Sequence, residues 1–347
     1  MNEIHVLDNH TVDKIAAGEV VERPFSIVKE LVENAIDAGA GHVTVEIKDG
    51  GISMIRVTDD GSGIDKSQLT KAFLRHATSK IKEAEDLSHI SSLGFRGEAL
   101  SSIAAVCQVE LITKTEEELT GQHFTINGGE AGELEEIGAP KGTTVIARNI
   151  FYNTPVRKKF LKTAMTEGNY IADFMQHIAL SAPQIAFQYI ANGQTKFFTS
   201  GNGDSREVIY RIYGKETASQ LLPISAQMDG ISVKGFLGKP ILCRANRAFE
   251  TIFVNGRYIK SSLVCSAVEE GYRTFLMQHK YPFVVLYLTI DPEKIDVNVH
   301  PTKMDVRFNN QQEIYNTLFA AVDDGLHERE LIPEVTLDDI KIPEEPK

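Results

Sequence analysis

Twelve consecutive residues, Lys29-Glu30-Leu31-Val32-Glu33-Asn34-Ala35-Ile36-Asp37-Ala38-Gly39-Ala40, constrain this chain more than any other stretch. Ile27, Val28, Leu31, Val32, Ala35 and Ile36 recur at helical spacing, which predicts one amphipathic helix over about residues 25–38. Pro24 suits its first turn and Gly39 the position just past its end. On such a helix Glu30 and Asn34 stand at i and i+4 and share a face. The acid can accept a proton from water, and the amide oxygen can bind a hard cation that a triphosphate also holds. Taken alone the pair also fits a solvated polar face, so the chemistry depends on the residues downstream of the helix.

There, Val43–Ile47 alternates as a strand, Asp49-Gly50-Gly51 turns, and Met54–Thr58 returns, giving a hairpin on a helix rather than a repeating βαβ series. The returning strand runs into Asp59-Asp60-Gly61-Ser62-Gly63. This D-x-G-x-G pattern puts a carboxylate at a strand end, and Gly61 and Gly63 remove Cβ atoms that would bar a base or phosphate. A carboxylate there can take a hydrogen bond from an adenine amino group; a plain Asp/Gly turn is the alternative. Residues 66–73 read as helical and lead to Arg75-His-Ala-Thr-Ser-Lys80. A second glycine loop, Gly94-Phe95-Arg96-Gly97-Glu98-Ala99-Leu100, opens onto a helix over 99–106, whose free N–H groups suit phosphate. The P-loop pattern is absent. Strands are expected at 109–113, 121–126 and, after Pro140-Lys141-Gly142, from Thr143 to Ala147, with a hydroxyl of Thr143 or Thr144 near the bound base.

A length of 347 residues favours two domains. Cys107, Cys243 and Cys265 are isolated, with no C-x-x-C pair, and the ten histidines show no zinc spacing; a reducing, cytoplasmic setting is expected. The start of the chain carries no leader pattern, and no apolar run approaches the ~18 residues of a membrane span. The net charge of −12 argues against indiscriminate nucleic-acid binding but is uneven. Residues 1–150 hold 14 Lys and Arg against 25 Asp and Glu, whereas residues 151–330 hold 20 against 18. The second half can therefore present a basic surface. Arg157, Lys158, Lys159, Lys162, Arg244, Arg247, Arg257 and Lys260 are its candidates, each an ordinary surface charge unless clustered.

E-x-x-x-N on a helix, D-x-G-x-G, a glycine-rich lid and Gly-Thr, in that order, resemble the GHKL ATPase superfamily. Ile15–Pro24, Arg75–Lys80, Gly94–Leu100, Asn153-Thr-Pro-Val-Arg-Lys-Lys-Phe160 and Asp296-Val-Asn-Val-His-Pro-Thr-Lys303 narrow the resemblance to the MutL mismatch-repair proteins, over about residues 4–330. The resemblance implies an α+β chain. A GHKL (Bergerat) α/β sandwich with a mixed, mostly antiparallel sheet would occupy 1–200, a ribosomal-S5-like domain 206–331, and the start of a disordered linker 332–347. It implies ATP and Mg²⁺ as cofactors. Glu30 would be the general base, Asn34 the magnesium ligand and Asp59 the adenine reader. Gly61, Gly63, Thr143 and Thr144 would lie around the nucleotide. Lys80, Gly94, Phe95, Arg96, Gly97, Glu98, Ala99 and Leu100 would form the lid, and Lys303 would reach the γ-phosphate from the second domain. The implied function is a slow ATPase and nucleotide-gated dimerisation switch that binds DNA, with Arg157, Lys158, Lys159 and Arg257 as DNA contacts, and couples to a MutS-like mismatch-recognition protein. Such proteins continue into a dimerisation domain, so the chain reads as an N-terminal fragment. A binding module with incidental hydrolysis is a competing reading. Among other GHKL activities, a histidine kinase should show a phosphoacceptor helix, and none is evident.

In the second half the expected elements are a helix over 166–182 and a hinge at 200–205. After it come a helix at 208–213, a strand at 231–237 and a 252–259 hairpin on Asn255-Gly256. A helix over 262–277, strands at 283–290 and 295–299, and a closing helix over 312–326 complete it.

Overall fold

The computed structural model describes residues 16–78, 97–228, 230–296 and 306–327. The chain falls into two compact units that divide between Ile212 and Tyr213.

In the first unit, α1 (Pro24–Asp37) is the central helix. Its buried stripe of Ile27, Val28, Leu31, Val32 and Ala35 matches the helical periodicity of the sequence, and each large side chain there contributes about 1.5–3 kcal/mol. The helix stops because Gly39 takes a left-handed φ of 73°. Its N–H reaches the Ile36 carbonyl and the Ala40 N–H reaches that of Ala35, the two bonds of a Schellman cap. The sheet comprises β1 (His42–Lys48), β2 (Met54–Asp59), β3 (Gln108–Lys114), β4 (Gly121–Asn127), β5 (Glu130–Ile137), β6 (Gly142–Arg148), β7 (Ala186–Ala191) and β8 (Gln194–Phe198). Their order is β5-β4-β3-β6-β2-β1-β7-β8, with β1 and β7 parallel and every other pair antiparallel. α1 packs on this sheet beside α2 (Ala99–Val106) and α3 (Ala164–Ser181). Phe25 meets Phe174 edge-on across the α1–α3 contact.

Three strands of this unit escape the sequence reading. β5 is exposed along nearly its whole length and carries Glu130, Glu133, Glu135 and Glu136, so it shows no apolar alternation. β7 and β8 form a hairpin whose Asn192 and Gly193 have φ of 52° and 77°, the same Asn-Gly signal recognised at 255–256. Residues 16–20 are helical straight through Gly18, a residue type that weakens helices. A Cβ there would fall 1.8 Å from the Arg157 guanidinium, so the glycine serves close packing rather than a break.

The helix α4 (Ser205–Ser219) spans the division of the chain, and Gly214 inside it has φ 86° and ψ 171°. The division thus falls beside this kink rather than in the 200–205 loop.

The second unit is built on β9 (Leu221–Met228), β10 (Ile231–Gly238), β11 (Glu250–Val254), β12 (Arg257–Ile259) and β13 (Val284–Thr289) in the order β12-β11-β13-β10-β9. Two helices, α5 (Ser262–Gly271) and α6 (Gln311–His327), pack against each other over its core. A short antiparallel pair joins β14 (Ile295–Asp296) to β15 (Arg307–Phe308). Asn255 and Gly256 have φ of 48° and 78°, the type I′ geometry expected of that hairpin. α5 ends at Gly271, not Met277, because α6 crosses there: a Cβ on Gly271 would lie 2.6 Å from Val322. Tyr272 then turns inward and donates its hydroxyl to the Gly238 carbonyl at 2.8 Å.

Candidate active site

The D-x-G-x-G turn closes the ends of three adjacent strands. Asp59 is the last residue of β2 and faces Val43 of β1 on one side and Thr143 of β6 on the other. Its Oδ1 accepts the backbone N–H of Gly61 at 2.9 Å and of Thr143 at 3.3 Å. Among the described residues no donor reaches Oδ2. Burial pushes the Asp59 carboxyl above the ordinary carboxylate range, against the pull of these two N–H donors and helped by Asp60. Asp60, one residue on, does other work. It accepts the N–H of Gly41 and His42 and the His42 imidazole, and these outweigh its burial and hold it below its ordinary value.

Glycine is required around Asp59. Gly142, at φ 114°, passes so close to the Asp59 carbonyl that a Cβ would sit 2.0 Å from that oxygen. Gly63, at φ 73°, lies equally tight on the Lys114 carbonyl. The Ser62 N–H reaches the Ala38 carbonyl at 3.0 Å, which ties the turn to the C-terminal end of α1. From that end Asn34 is one turn back, and Glu30 two turns back, about 12 Å along the helix.

Strand alternation separates the two threonines. Thr143, opposite Asp59, shares its face, whereas Thr144 pairs with Thr58 on the other face and donates to its hydroxyl at 3.1 Å. Sequence reasoning missed Thr113. This buried hydroxyl sits 3.1 Å from both the Thr143 Oγ1 and the Gly142 carbonyl and accepts the Ile64 N–H at 2.8 Å. It binds β3, β6 and the glycine turn into one frame. A lone threonine ending an alternating strand gives no signal of that.

Glu30 and Asn34 are both half-buried on α1. The Lys29 ammonium lies 3.6 Å from Glu30 Oε1 and 2.9 Å from Glu33 Oε2, and Glu33 is buried. Burial works against the Lys29 charge, but Glu33 and then Glu30 outweigh it and leave the ammonium above its ordinary pKa.

Of the lid, Gly97 to Leu100 are described; Lys80, Gly94, Phe95 and Arg96 lie outside the described residues, as do Lys303 and the 332–347 linker. Gly97, at φ 63°, approaches the Ala77 carbonyl so closely that a Cβ would be 2.6 Å away. Glu98 meets the His76 imidazole at 3.1 Å. The Arg75–Thr78 segment and the lid's second half therefore touch. Ala99 and Leu100 begin α2, whose N-cap residue Glu98 makes no side-chain cap, so among the described residues no capping side chain competes with an anion there.

The basic candidates differ in freedom. Lys158 and Lys159 are exposed, whereas Arg157 lies partly buried against Gly18. In the second unit Arg247 makes a two-pronged pair with Glu269 at 2.5 and 3.0 Å, and Arg244 stacks over Phe249 at 4.9 Å. Arg257 is half-exposed on β12. Lys260 joins Arg307, Ser261, Ser262, Ser266 and Gln311 around a cleft of about 510 Å³ at the start of α5. Sequence reasoning did not single out Arg307, because it is far from Lys260 along the chain.

Sequence and structure comparisons bear on this geometry. Residues 22–144 match the family model of the histidine kinase-, DNA gyrase B- and HSP90-like ATPases, and residues 209–327 match the C-terminal domain model of DNA mismatch repair proteins. The DNA mismatch repair protein MutL of Agathobacter rectalis is 57% identical over 99% of this chain, and that of Caldanaerobacter subterraneus subsp. tengcongensis is 48% identical over 97%. The chain covers 53% and 57% of those two proteins, so it spans about half the length of the curated relatives it matches. A crystal structure of the N-terminal domain of a DNA repair protein matches with TM-score 0.76 at 28% identity, covering 91% of this chain and 98% of that one. The Aquifex aeolicus MutL ATPase domain complexed with ADP matches with TM-score 0.60 at 27% identity, covering 79% of this chain and 94% of that one. Among the described residues no helix is long and apolar enough to cross a membrane. The helix-borne acid and amide and the half-buried Asp59 thus stand in a GHKL-type ATPase fold, and the chain belongs to the MutL family of DNA mismatch repair proteins, corresponding to its N-terminal ATPase region.

Proposed function

We propose that the first unit binds ATP with the adenine on Asp59 and hydrolyses it with Glu30 as general base. One observation carries this reading. Asp59 is a half-buried carboxylate whose Oδ1 is filled by two backbone donors while Oδ2 has no donor among the described residues, in a turn whose glycines let the backbone pass close to it. An adenine amino group supplies the missing donor, and Thr143 shares that face. The nucleotide then extends along α1 past Asn34 toward Glu30, and the open N-terminus of α2 receives phosphate oxygens. Gly61 and Gly63 line the base; Gly97, Glu98, Ala99 and Leu100, with Lys80, Gly94, Phe95 and Arg96, cover the triphosphate.

The donor set suits Mg²⁺, which takes one or two protein oxygens and fills its shell with phosphates and water. Asn34 offers a neutral amide oxygen on the Glu30 face of α1. The ion, when bound, neutralises charge on the phosphates. Glu30 takes a proton from the attacking water as its oxygen bonds to the γ-phosphorus. The bond to the β,γ-bridging oxygen breaks, and ADP and phosphate leave. Lys303 supplies a cation to the γ-phosphate, so that ATP and ADP differ in what they hold together.

In the whole protein we assign this cycle to a cytoplasmic switch. ATP binding pairs two chains, a dimer also joined through a further domain. DNA is held on cations such as the exposed Lys158 and Lys159 and the half-exposed Arg257, with a lesser share from Arg157, and a MutS-like mismatch sensor is linked to later repair. Glu30→Ala should bind ATP with near-normal affinity and lose roughly 10²–10⁴-fold in single-turnover hydrolysis, the usual share of a general base. Unchanged turnover would remove Glu30 from the mechanism. Asn34→Ala should lose the Mg²⁺-dependent part of nucleotide binding.

A further inference from the structure

Asp59, Thr143 and Thr113 form one row across β2, β6 and β3: Asp59 pairs with Thr143, and Thr143 pairs in turn with Thr113. Partners in register project to the same face of a sheet, so the three side chains share a face. Thr113 is buried, and its hydroxyl has three protein neighbours. It accepts the Ile64 N–H at 2.8 Å, donates to the Gly142 carbonyl at 3.1 Å, and lies 3.1 Å from the Thr143 Oγ1.

Counting protons fixes the direction of the third contact. A hydroxyl has one proton and two lone pairs. The Ile64 N–H can only donate, so it occupies one lone pair. The Gly142 carbonyl can only accept, so it takes the proton. Thr113 is left with one lone pair, and Thr143 must supply the proton to it. Gln122, next along the row on β4, has a buried Oε1 without a hydrogen-bond partner, so it does not draw the Thr113 proton away from Gly142. The Thr143 oxygen therefore keeps only lone pairs for anything beyond the frame. Its neighbour in the row, Asp59, offers a second acceptor in Oδ2, which has no donor among the described residues.

We propose that Thr113 is a positioning residue for base choice: by taking the Thr143 proton it makes Thr143 and Asp59 a pair of acceptors, which suit the 6-amino group of adenine and oppose the 6-oxo group of hypoxanthine or guanine. The inference rests on the reading that places adenine on Asp59. The 6-amino group carries two N–H donors, and a water bridging it to the frame likewise has two protons to give. A 6-oxo purine brings an acceptor to the same place and meets like with like. Without the Thr113 hydroxyl, Thr143 can turn its proton outward and donate to that oxygen. Thr113 thus acts on selectivity without touching the nucleotide.

The test compares equilibrium affinities for ATP and ITP, whose bases differ at N1 and C6, using the full chain with Mg²⁺. Thr113→Val should narrow the preference for ATP roughly 3- to 10-fold, the worth of one neutral hydrogen bond. Thr113→Ser should return it close to the parent. Thr143→Ala should weaken ATP and leave ITP unchanged or slightly tighter. In the Thr143→Ala background Thr113→Val should not move the ratio further, because no hydroxyl is left to orient. A Thr113 that only supports the fold would lower both affinities in parallel in Thr113→Val, and an unchanged ratio overturns the proposal. Equal losses of ATP and ITP in Thr143→Ala also overturn it, and that variant decides the matter if Thr113→Val does not fold. If Asp59→Asn leaves ATP affinity unchanged, the base lies elsewhere and the underlying reading fails, a result separate from the ratio.

Discussion

Asp59 and Glu250 are both shielded carboxyls pushed above their ordinary range, yet they do different things. Asp59 stands half-buried at the ends of three strands, with one oxygen filled by backbone donors and the other without a donor among the described residues. Glu250 opens β11 in the second unit, and both of its oxygens are buried without a hydrogen-bond partner. Burial lifts Glu250 to about 7, with Glu269 adding to the rise and the Cys265 thiol and Arg247 opposing it. Arg247, the cation beside it, is committed to Glu269. A perturbed carboxyl is therefore not in itself a site. What separates the two is a spare acceptor that is not sealed in the core, set in a turn where three strand ends meet.

The largest effect should come from crowding that turn. Gly142→Ala puts a Cβ against the Asp59 carbonyl at a φ that L-residues avoid, and should cost the first unit more than about 3 kcal/mol, read as a lower melting temperature. A variant of parent stability would show that the strand ends are looser than described. Next in size is Asp59→Asn. The amide can keep its oxygen toward the two N–H donors only by turning its NH₂ toward the adenine amino group, setting donor against donor. Nucleotide affinity should fall roughly 10- to 100-fold by equilibrium titration. Glu250→Gln should leave that affinity unchanged, and equal losses would erase the distinction between the two carboxyls.

Glu250 should instead reveal itself in stability. Its folded pKa of about 7 lies above the ordinary 4.5, so the folded state holds the proton more tightly. Its contribution is then fully present below pH 4.5 and is lost as pH rises toward 7. Glu250→Gln removes this loss, and should raise the melting temperature at pH 8 by roughly 3–5 °C while gaining little at pH 5. A gain that does not depend on pH would contradict it. The smallest effect belongs to the exposed cations. Lys158→Ala or Lys260→Ala should weaken DNA binding a few-fold, and reduce the slope of log affinity against log salt by about one for each phosphate no longer neutralised.

The parts of the molecule that were legible in sequence are those where side-chain pattern and backbone demand coincide. The α1 stripe, its Gly39 cap, the β1–β2 hairpin and the D-x-G-x-G turn all carry a physical signature within a dozen residues. β5 does not, because a strand exposed on both faces has no apolar period to show. The frame around Asp59 was only half legible. Thr113 joins it from about fifty residues away through β3–β6 pairing, and the choice of Thr143 over Thr144 depends on register rather than composition. Lys29 was hidden for another reason: a lysine between two acids on a helix looks like any solvated face until distance and burial are known.

The most direct measurement is a crystal structure of this chain with a non-hydrolysable ATP analogue and Mg²⁺. The adenine amino group should lie within hydrogen-bond reach of Asp59 Oδ2, the metal on Asn34, and the Glu30 carboxylate facing the terminal phosphorus across a water. A nucleotide seated elsewhere, or a Glu30 side chain directed away from the phosphate, would contradict the account.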